Sequence, residues 1–470
     1  MAGPIRYTGA WRASFAAVRT AALAAAAVVA IAPVSAQAQG IPLIRDTEIE
    51  NLLKDYARPI FRAAGLGSNN ISMRIVRHES FNAFVVDGRN VFMNSGTLMQ
   101  ARTPNEVIGV IAHETGHITG GHLAQLRARI ARDQTRALLF TVLGLGALIA
   151  GAASGHDSTR ELGSIGQGVA LGGNDMLMRS LLSERRSQES AADQAGLAYL
   201  QATRQSGRGM LATFERFAQQ EYISEQHKDP FVRSHPVATD RLRQLRDKVE
   251  ASPFAATKDD PSLQLRHDMM RAKISGFLER QQTVANRYPP TDTSLPARYA
   301  RAIALNCSGR CVQNIGLVDA LIREQPNNPY FWELKGHLQY FQGQYREAIP
   351  NMRKGLQLAG GDESLMMVNL AQTLLGTEDN AVLDEAIALL RRAVVREGDY
   401  SAPHHQLAKA FYRKGLFPQA DLSAAQAHLI EGNVKQAQIF AKRAQVKLPQ
   451  GSPEWIRAED IISFKTPTSG

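Results

Sequence analysis

Cysteine is nearly absent from this sequence, which has two cysteines, Cys307 and Cys311, among its 470 residues. Two thiolates alone do not make a zinc site, because structural zinc sites take four ligands. Residues 308–310 read Ser-Gly-Arg, a turn that can bring the two thiols together in an oxidising compartment. We therefore predict a small Cys307–Cys311 disulfide, although on a continuous helix its geometry would be poor.

Acidic residues are missing from positions 1–38, which contain three arginines and an apolar run from Ala21 to Ile31. With Ala36-Gln37-Ala38 as a small-x-small site, the stretch is typical of a signal peptide cut after Ala38. No cysteine follows, so a lipid anchor is not expected; an uncleaved membrane anchor is the alternative, but the run is short for a span. Losing three arginines changes the formal charge from +10 to +7, which suggests anionic neighbours such as lipid. Export argues against nucleic acid as the partner.

The segment 105–122 reads NEVIGVIAHETGHITGGH and follows the helix-start signal Thr103-Pro104. Its apolar first half predicts a buried helix, on which His113 and His117 lie four residues apart on one face. Two imidazoles at this spacing can reach one tetrahedral zinc ion, and Glu114 can then act as general base toward a water. The alternative is a chance match by two packed histidines, which the apolar helix and the acidic residues downstream disfavour. We interpret His122 as structural.

A second helix is predicted from Ser183 to Arg204, where Glu189 and Asp193 lie four residues apart. Spacing alone would make them part of a solvated face. The alanines and glycine between 191 and 196 instead allow close packing against a neighbouring helix. We therefore predict that Glu189 is the third protein ligand, which leaves the fourth zinc position to water, and that Asp193 hydrogen-bonds the outer nitrogen of a ligand histidine.

Charge is absent from 137–155, a stretch that contains several glycines. We predict a hydrophobic helical excursion that covers the metal site or contacts a membrane surface. A true membrane span and a buried core hairpin are the alternatives. Before the motif, an amphipathic helix is predicted for 46–64 and short strands for 71–76, 83–86 and 91–94. A strand left at an edge beside the metal can pair with an extended peptide; otherwise the strands only complete the core.

His113-Glu114-x-x-His117, followed by Glu189-Ser-Ala-Ala-Asp193, resembles the zinc metallopeptidases that include the heat-shock protease HtpX and the CAAX prenyl proteases. Asn82-Ala83-Phe84 and Ser234-His235-Pro236 also match that family. The resemblance implies that His113, His117 and Glu189 bind one zinc ion per chain, that Glu114 is the base and that Asp193 supports a ligand. It also implies that His235 can occupy the open zinc position and keep the enzyme latent. Without the resemblance, His235 would be an ordinary loop residue.

The C-terminal part is helical and repetitive. Trp332, Gly336, Tyr340 and the Gly-x-aromatic-x-x-Ala copy at 343–348 fit the tetratricopeptide pattern, although Lys335 replaces its leucine. Further copies begin at Gly415 and Gly432, and Ala386 and Ala420 are one repeat length apart. Such helix pairs stack into a solenoid with a concave binding surface; unrelated alanine-rich helices are the alternative.

The sequence therefore predicts a mainly α protein: a zincin-like metallopeptidase domain with a small β-sheet, followed by an α-solenoid of tetratricopeptide repeats. The predicted segments are the signal peptide (1–38), the metallopeptidase domain (39–250), a linker with a connecting helix (251–295), the repeat domain (296–450) and a tail (451–470).

The resemblance is strongest to exported, repeat-bearing members of the family, the periplasmic β-barrel assembly-enhancing proteases. It implies a periplasmic endopeptidase that cleaves misfolded or stalled polypeptides, such as unfolded outer-membrane proteins, with repeats that bind clients or the assembly machinery. Two other readings remain open. One is a chaperone or scaffold with a latent or structural metal site, and the other is an integral membrane protease if 137–155 spans a membrane.

Overall fold

A computed structural model describes residues 42–67, 71–86, 88–129, 132, 183–218, 235, 239–304 and 312–465. The predicted signal peptide, the uncharged segment 137–155 and both cysteines lie outside these residues and stay predictions. Within the described ranges, every helix is too short or too polar to cross a membrane.

The first helix, α1 (Thr47–Ala63), begins where the sequence predicts. The Asp46 Oδ1 atom accepts a hydrogen bond from the backbone N–H of Ile49 at 3.0 Å, which caps the helix. Its apolar stripe, which includes Leu53, Tyr56 and Ile60, is fully buried. Helix α1 therefore forms one wall of the core on which the sheet and the motif helix pack.

Four short strands form a mixed sheet in the order β1-β2-β4-β3. Their ranges are β1 (Leu43–Ile44), β2 (Ser72–Val76), β3 (Ala83–Val85) and β4 (Asn90–Asn94). Strands β3 and β4 are antiparallel, with Phe84 opposite Phe92, whereas β2 and β4 are parallel. The sequence predicts three of these strands but not β1, because two residues are too few to form a pattern. Among the described strands, β3 lies at the edge of the sheet nearest the motif helix.

Six further helices lie among the described residues of the N-terminal region, which we define as residues 43–250. They are α2 (Ser95–Gln100), α3 (Pro104–Thr119), α4 (122–129), α5 (183–202), α6 (Arg208–Phe217) and α7 (Thr239–Glu250). Side chains of α1, the sheet, α3 and α6 form one hydrophobic core. The motif helix α3 is thus held at the centre of this region.

Helix α8 (Pro261–Leu278) packs between two hydrophobic cores. Met270 and Ile274 belong to the core of the N-terminal region, whereas Met269 and Ala272 pack with Tyr299 in a second core. The sequence predicts a linker with a connecting helix here but not its packing against two cores, because apolar residues on two opposite faces do not produce a single amphipathic stripe. Helices α9 (Gln281–Arg287), α10 (Leu295–Ala304) and α11 (Val312–Glu324) follow.

Residues 329–463 form antiparallel helix pairs. They are α12 (Pro329–Phe341) with α13 (Tyr345–Leu358), α14 (Ser364–Gly376) with α15 (Leu383–Arg396), α16 (Ser401–Arg413) with α17 (Phe417–Ile430), and α18 (Val434–Gln445) with α19 (Pro453–Ser463). Gly343 and Gly415 have φ values of +74° and +77°, a conformation that ends the first helix of a pair and favours glycine. Ala348 and Ala420 are buried where the paired helices touch. The mainly α fold with a small sheet and a helical C-terminal region is therefore confirmed.

The helical C-terminal region is docked on the N-terminal region, and the chain from Leu43 onward forms one compact unit. Arg45 Nη2 donates a hydrogen bond to Glu397 Oε2 at 2.7 Å, and its guanidinium lies 4.5 Å from the ring centroid of Tyr400. Arg74 Nη2 donates to Asp399 Oδ2 at 2.6 Å. Both arginine side chains are only 10% exposed, but Glu397 is 16% and Asp399 62% exposed, so solvent screens the Arg45–Glu397 pair less than the Arg74–Asp399 pair.

A buried polar cluster joins the two regions near the start of α1. Lys273 Nζ lies 2.8 Å from Asp46 Oδ2 and 3.1 Å from Glu48 Oε2, and the Tyr299 hydroxyl donates to Glu48 Oε2 at 2.9 Å. The cluster extends to Glu333 of α12, where burial raises the pKa of the carboxyl to about 7 against the opposing effect of Lys273.

Glu333 should make the protein less stable as the pH rises. Because its pKa is higher in the folded protein than the usual value of about 4.3, folding favours its protonated form. This contribution is fully present below about pH 4 and is lost as the pH rises to about 7. Glu333→Gln should therefore raise the thermal midpoint at pH 8 and flatten the fall in stability between pH 4.5 and 7. Glu347→Gln, at an exposed position of α13, is the control. Identical profiles of stability against pH for the parent and Glu333→Gln would contradict the expectation.

Candidate metal centre

Helix α3 carries His113, Glu114 and His117, and its N-terminus is fixed by a local cap. Thr103 Oγ1 accepts a hydrogen bond from the backbone N–H of Glu106, and Pro104 occupies the first turn. The helix is buried through Gly116, so the motif lies inside the protein rather than on a solvated face. His113 and Glu114 are each only 1% exposed.

Helices α3 and α5 pack backbone against backbone at small residues. A Cβ atom on Gly116 would lie 2.6 Å from the carbonyl oxygen of Ala192, and one on Gly196 would lie 3.1 Å from the backbone of Ala112. This close approach is what the alanines and glycine of α5 were expected to allow. It brings Glu189 beside the histidines of α3.

Four side chains converge on one point, and one possible ligand atom from each lies within 4.8 Å of the other three. They are His113, His117, Glu189 and His235. His113 Nε2 lies 3.1 Å from His117 Nε2 and 3.2 Å from His235 Nδ1. Glu189 Oε2 lies 3.4 Å from His113 Nε2, and Glu189 Oε1 lies 3.4 Å from His117 Nε2. Within the described ranges, this is the only such group of histidine, cysteine or acidic side chains.

These separations fit one tetrahedral zinc ion. Zinc–nitrogen and zinc–oxygen bonds of about 2.0–2.1 Å imply ligand atoms about 3.3 Å apart at the corners of a tetrahedron. Three neutral imidazoles and one carboxylate are also a donor set that suits zinc. The residues present therefore fit the metal that the sequence predicts, with His235 at the fourth corner.

The outer ring nitrogens of His113 and His117 have different partners. His113 Nδ1 lies 2.9 Å from Asp193 Oδ1, the contact that the sequence predicts for this acid. His117 Nδ1 lies 2.9 Å from Nδ1 of His122, a residue interpreted from sequence as structural. In each imidazole, the outer nitrogen Nδ1 thus has a hydrogen-bond partner, while the other nitrogen, Nε2, faces the shared centre.

Arg241 is a site residue that sequence reasoning missed. It lies on α7, and its guanidinium contacts both oxygens of Asp193 and lies 3.1 Å from Glu189 Oε2. It also lies 4.7 Å from the ring centroid of Phe214. The sequence of α7 is highly charged and gives no sign that the side chain of one arginine is only 9% exposed and paired with two acids.

The electrostatics of the centre keep Glu189 ionised. Burial opposes ionisation of Glu189, but the charge of His235 and the hydrogen bonds of His113 and His117 outweigh it and hold the pKa of Glu189 well below its usual value. Burial also acts to lower the pKa of His113, yet its bonds to Asp193 and Glu189 raise that pKa to about 9. For His117, burial prevails and lowers the pKa. The centre therefore keeps a carboxylate that a bound metal can share.

A cleft of about 390 Å³ opens onto the centre. Its walls include Phe84 and Val85 of edge strand β3, Leu123 and Leu126 of α4, and Gln188 of α5. Glu114 faces this cleft, and its Oε1 atom is buried without a hydrogen-bond partner among the described residues. A larger cleft of about 820 Å³ lies between α1, β2 and the helical C-terminal region, away from these residues.

His235 contacts both the centre and the edge strand. Its Nδ1 atom lies 3.1 Å from Glu189 Oε2, and its Nε2 atom lies 3.3 Å from the carbonyl oxygen of Ala83 and 3.4 Å from Glu114 Oε1. The six residues predicted around the metal are thus brought together, whereas Cys307 and Cys311 lie outside the described residues.

Comparison with known proteins agrees with this geometry. Residues 44–249 match the model of peptidase family M48, a range that contains the whole centre. The chain is 24% identical over 426 residues to the beta-barrel assembly-enhancing protease of Yersinia pestis, covering 90% of this chain and 84% of that protein. It is 21% identical over 425 residues to the protein of the same name in Escherichia coli K12, with the same coverage. Over 202 residues it is 29% identical to the metalloprotease LoiP of Escherichia coli K12, covering 42% of this chain and 72% of LoiP.

The alignments with the two beta-barrel assembly-enhancing proteases are longer than the M48 range and so extend into the helical C-terminal region. The His-Glu centre lies inside the range that matches the model of peptidase family M48, so this chain is a metallopeptidase that resembles that family.

Proposed function

We propose that this chain is an exported zinc metalloendopeptidase that cleaves misfolded or stalled polypeptides in the quality control of outer-membrane protein assembly. The observation that carries the proposal is the four-donor centre beside Glu114, at the bottom of a cleft edged by a strand. The names of the relatives support a duty in β-barrel assembly. The predicted signal peptide supports a periplasmic location.

His113, His117 and Glu189 would hold one zinc ion, and Asp193 and Arg241 would orient these ligands. Bound zinc supplies a Lewis acid that acidifies water and polarises a peptide carbonyl. Glu114, buried beside the centre with Oε1 3.4 Å from His235 Nε2, takes the proton from the attacking water and passes it to the leaving amine. The four side chains are buried or nearly so, which excludes bulk water and strengthens their interactions.

The substrate would bind as an extra strand along β3. In the antiparallel β3–β4 pair, the carbonyl oxygen of Asn82 accepts a hydrogen bond from the backbone N–H of Asn94. Hydrogen bonding alternates along an antiparallel strand, so the backbone N–H and C=O groups of Ala83 and Val85 point away from β4, toward the open edge of the sheet. Pairing through backbone groups does not depend on sequence, which suits a protease for unfolded chains. Phe84 and Val85 border the cleft and would contact alternate substrate side chains.

In this proposal, residues 39–250 are the peptidase domain, 251–295 the connection and 296–450 a tetratricopeptide domain, with 451–470 as the tail. The helix pairs with glycine turns and buried alanines support the repeat assignment. The first pair already contacts helix α8 of the connection, where Lys273 Nζ lies 5.5 Å from the ring centroid of Tyr330. Clients or assembly partners would therefore bind the later pairs, where aromatic side chains such as Tyr412 and Phe417 are exposed.

A chaperone or scaffold with a latent centre is the second candidate. The position of His235 at the fourth corner favours it, because a closed site binds metal without hydrolysing peptides. Zinc content and cleavage of an unfolded substrate by the purified mature protein test the two candidates. Bound zinc with cleavage that a chelator removes supports the enzyme, whereas bound zinc without any cleavage favours the latent scaffold.

Replacing the latch should raise activity. We expect His235→Ala to keep zinc, since three ligands remain, and to free both the fourth position and the Ala83 carbonyl for substrate. If closure is favoured by about 1.4 kcal/mol, the rate of cleavage should rise about tenfold. His405→Ala, an exposed histidine of α16, is the control. Unchanged cleavage by His235→Ala with zinc bound would remove His235 as a latch.

A further inference from the structure

The turn after the motif helix places an additional histidine against the metal centre. Helix α3 ends at Thr119, and Gly121 has a φ of +63°, which reverses the chain so that α4 can start at His122. His122 is 8% exposed, and its Nδ1 atom lies 2.9 Å from Nδ1 of His117. The turn therefore returns an imidazole to the outer nitrogen of a candidate zinc ligand.

Gly120 makes room for this imidazole. A Cβ atom at position 120 would lie 2.3 Å from His122 Nε2 and 2.7 Å from its Cδ2, so any other residue would displace the ring. The backbone at Gly120 has a φ of −72°, which every residue tolerates, so conformation alone does not require glycine here. The requirement for glycine at 120 thus comes from the His122 ring itself.

We infer that His122 is a positioning residue, which accepts a hydrogen bond from His117 Nδ1–H and so fixes the tautomer and ring orientation of that ligand. The inference rests on the proposed role of His117 as a zinc ligand through Nε2. With Nε2 bound to metal, the neutral His117 ring carries its proton on Nδ1 and must donate it. His122 then accepts through Nδ1 and carries its own proton on Nε2.

This arrangement differs from that of His113, whose outer nitrogen faces the carboxylate of Asp193. The charge of Asp193 is balanced by buried Arg241. A carboxylate at position 122 would instead add a negative charge near Glu189, and like charges in a buried site disfavour each other. A neutral imidazole orients His117 without that cost.

The test measures the zinc dissociation constant of the full mature protein by competition with a chromophoric chelator. Loss of a partner of this kind typically weakens metal binding 10- to 100-fold, and we expect this for His122→Ala. His122→Asn should restore most of the affinity, because its Oδ1 can take the place of the imidazole Nδ1 as acceptor. Gly120→Ala should weaken zinc binding although both histidines are present, because its methyl group displaces the ring.

Two further variants separate the possible failures. His267→Ala removes a buried histidine far from the centre, which contacts Tyr56 and Ala101, and should change thermal stability but not zinc affinity. His117→Ala tests the premise: a parental dissociation constant in that variant would overturn the proposed ligand set. If His117→Ala loses zinc while His122→Ala binds it within twofold of the parent, the positioning role alone is overturned. If His122→Asn binds zinc as weakly as His122→Ala, the positioning role is also overturned, because the hydrogen-bond acceptor would then make no difference and His122 would contribute through packing alone.

Discussion

Glu114→Gln should leave zinc bound and reduce the cleavage of an unfolded polypeptide by about 10² to 10⁴-fold or more. The substitution keeps the size of the side chain and all three proposed ligands, but an amide cannot accept the proton of the attacking water. Glu114 is buried beside the centre, and an amide oxygen can keep the contact that Glu114 Oε1 makes with His235 Nε2 at 3.4 Å. The loss should therefore appear in the rate rather than in folding or metal content.

Glu106→Gln is the matched control for this experiment. Glu106 lies on the same helix and is also buried, but it pairs with Arg216 at 2.6 Å and is far from the cleft. The Glu106→Gln variant should have a slightly lower thermal midpoint than the parent, and each folded molecule should cleave the substrate at the parental rate. Equal cleavage by the parent and Glu114→Gln, with zinc bound in both, would refute the hydrolytic mechanism. If the protein is chiefly a scaffold, the parent has no such cleavage to lose and partner binding is unchanged.

The parts of the centre that lie on helices could be predicted from sequence. Helical spacing alone places His113 beside His117 and Glu189 beside Asp193, and the small residues of α5 indicate that it packs closely against a partner helix. Residues on one helix face remain neighbours whatever the rest of the fold does. The role of Glu189 as a ligand nevertheless needed the upstream motif, because two acids on a helix are usually solvated.

The parts that depend on chain reversals could not be predicted in this way. His235 and Arg241 come from a different segment, and only the family resemblance pointed to His235. His122 follows a turn, where spacing along the sequence no longer gives direction in space. Its one local signal was the pair of glycines before it, which can be understood only when the His122 ring is seen over Gly120.

The packing of the connection between the two regions could not be predicted from its sequence, for a different reason. Helix α8 is mixed in composition because it contributes to two cores, and its buried Lys273 is paired with Asp46 and Glu48 of the N-terminal region. A lysine in a sequence normally predicts a solvent-exposed position, since burial of an unpaired charge is costly. Its partners lie more than 200 residues away along the chain, so no local pattern could have indicated that it is buried.

Glu189→Gln should strongly weaken metal binding. Glu189 is the only anionic member of the four-donor group, and its low pKa keeps it ionised. An amide of the same shape is neutral and a poor zinc ligand, so the loss in affinity should exceed the 10- to 100-fold typical of residues that only support a ligand. Cleavage should fall to background at zinc concentrations that saturate the parent. Glu184→Gln, on the same helix and paired with Arg129, is the control.

The structure also predicts how this effect depends on His235. With Glu189 neutral, His113, His117 and His235 still provide three imidazoles, so Glu189→Gln should bind zinc weakly rather than not at all. Adding His235→Ala leaves two ligands and should abolish the remaining binding, although His235→Ala alone should cost little affinity. Because the two residues share one metal, their effects on binding free energy should not add. Parental zinc affinity in Glu189→Gln would remove Glu189 from the ligand set, and strict additivity would remove His235 from the fourth corner.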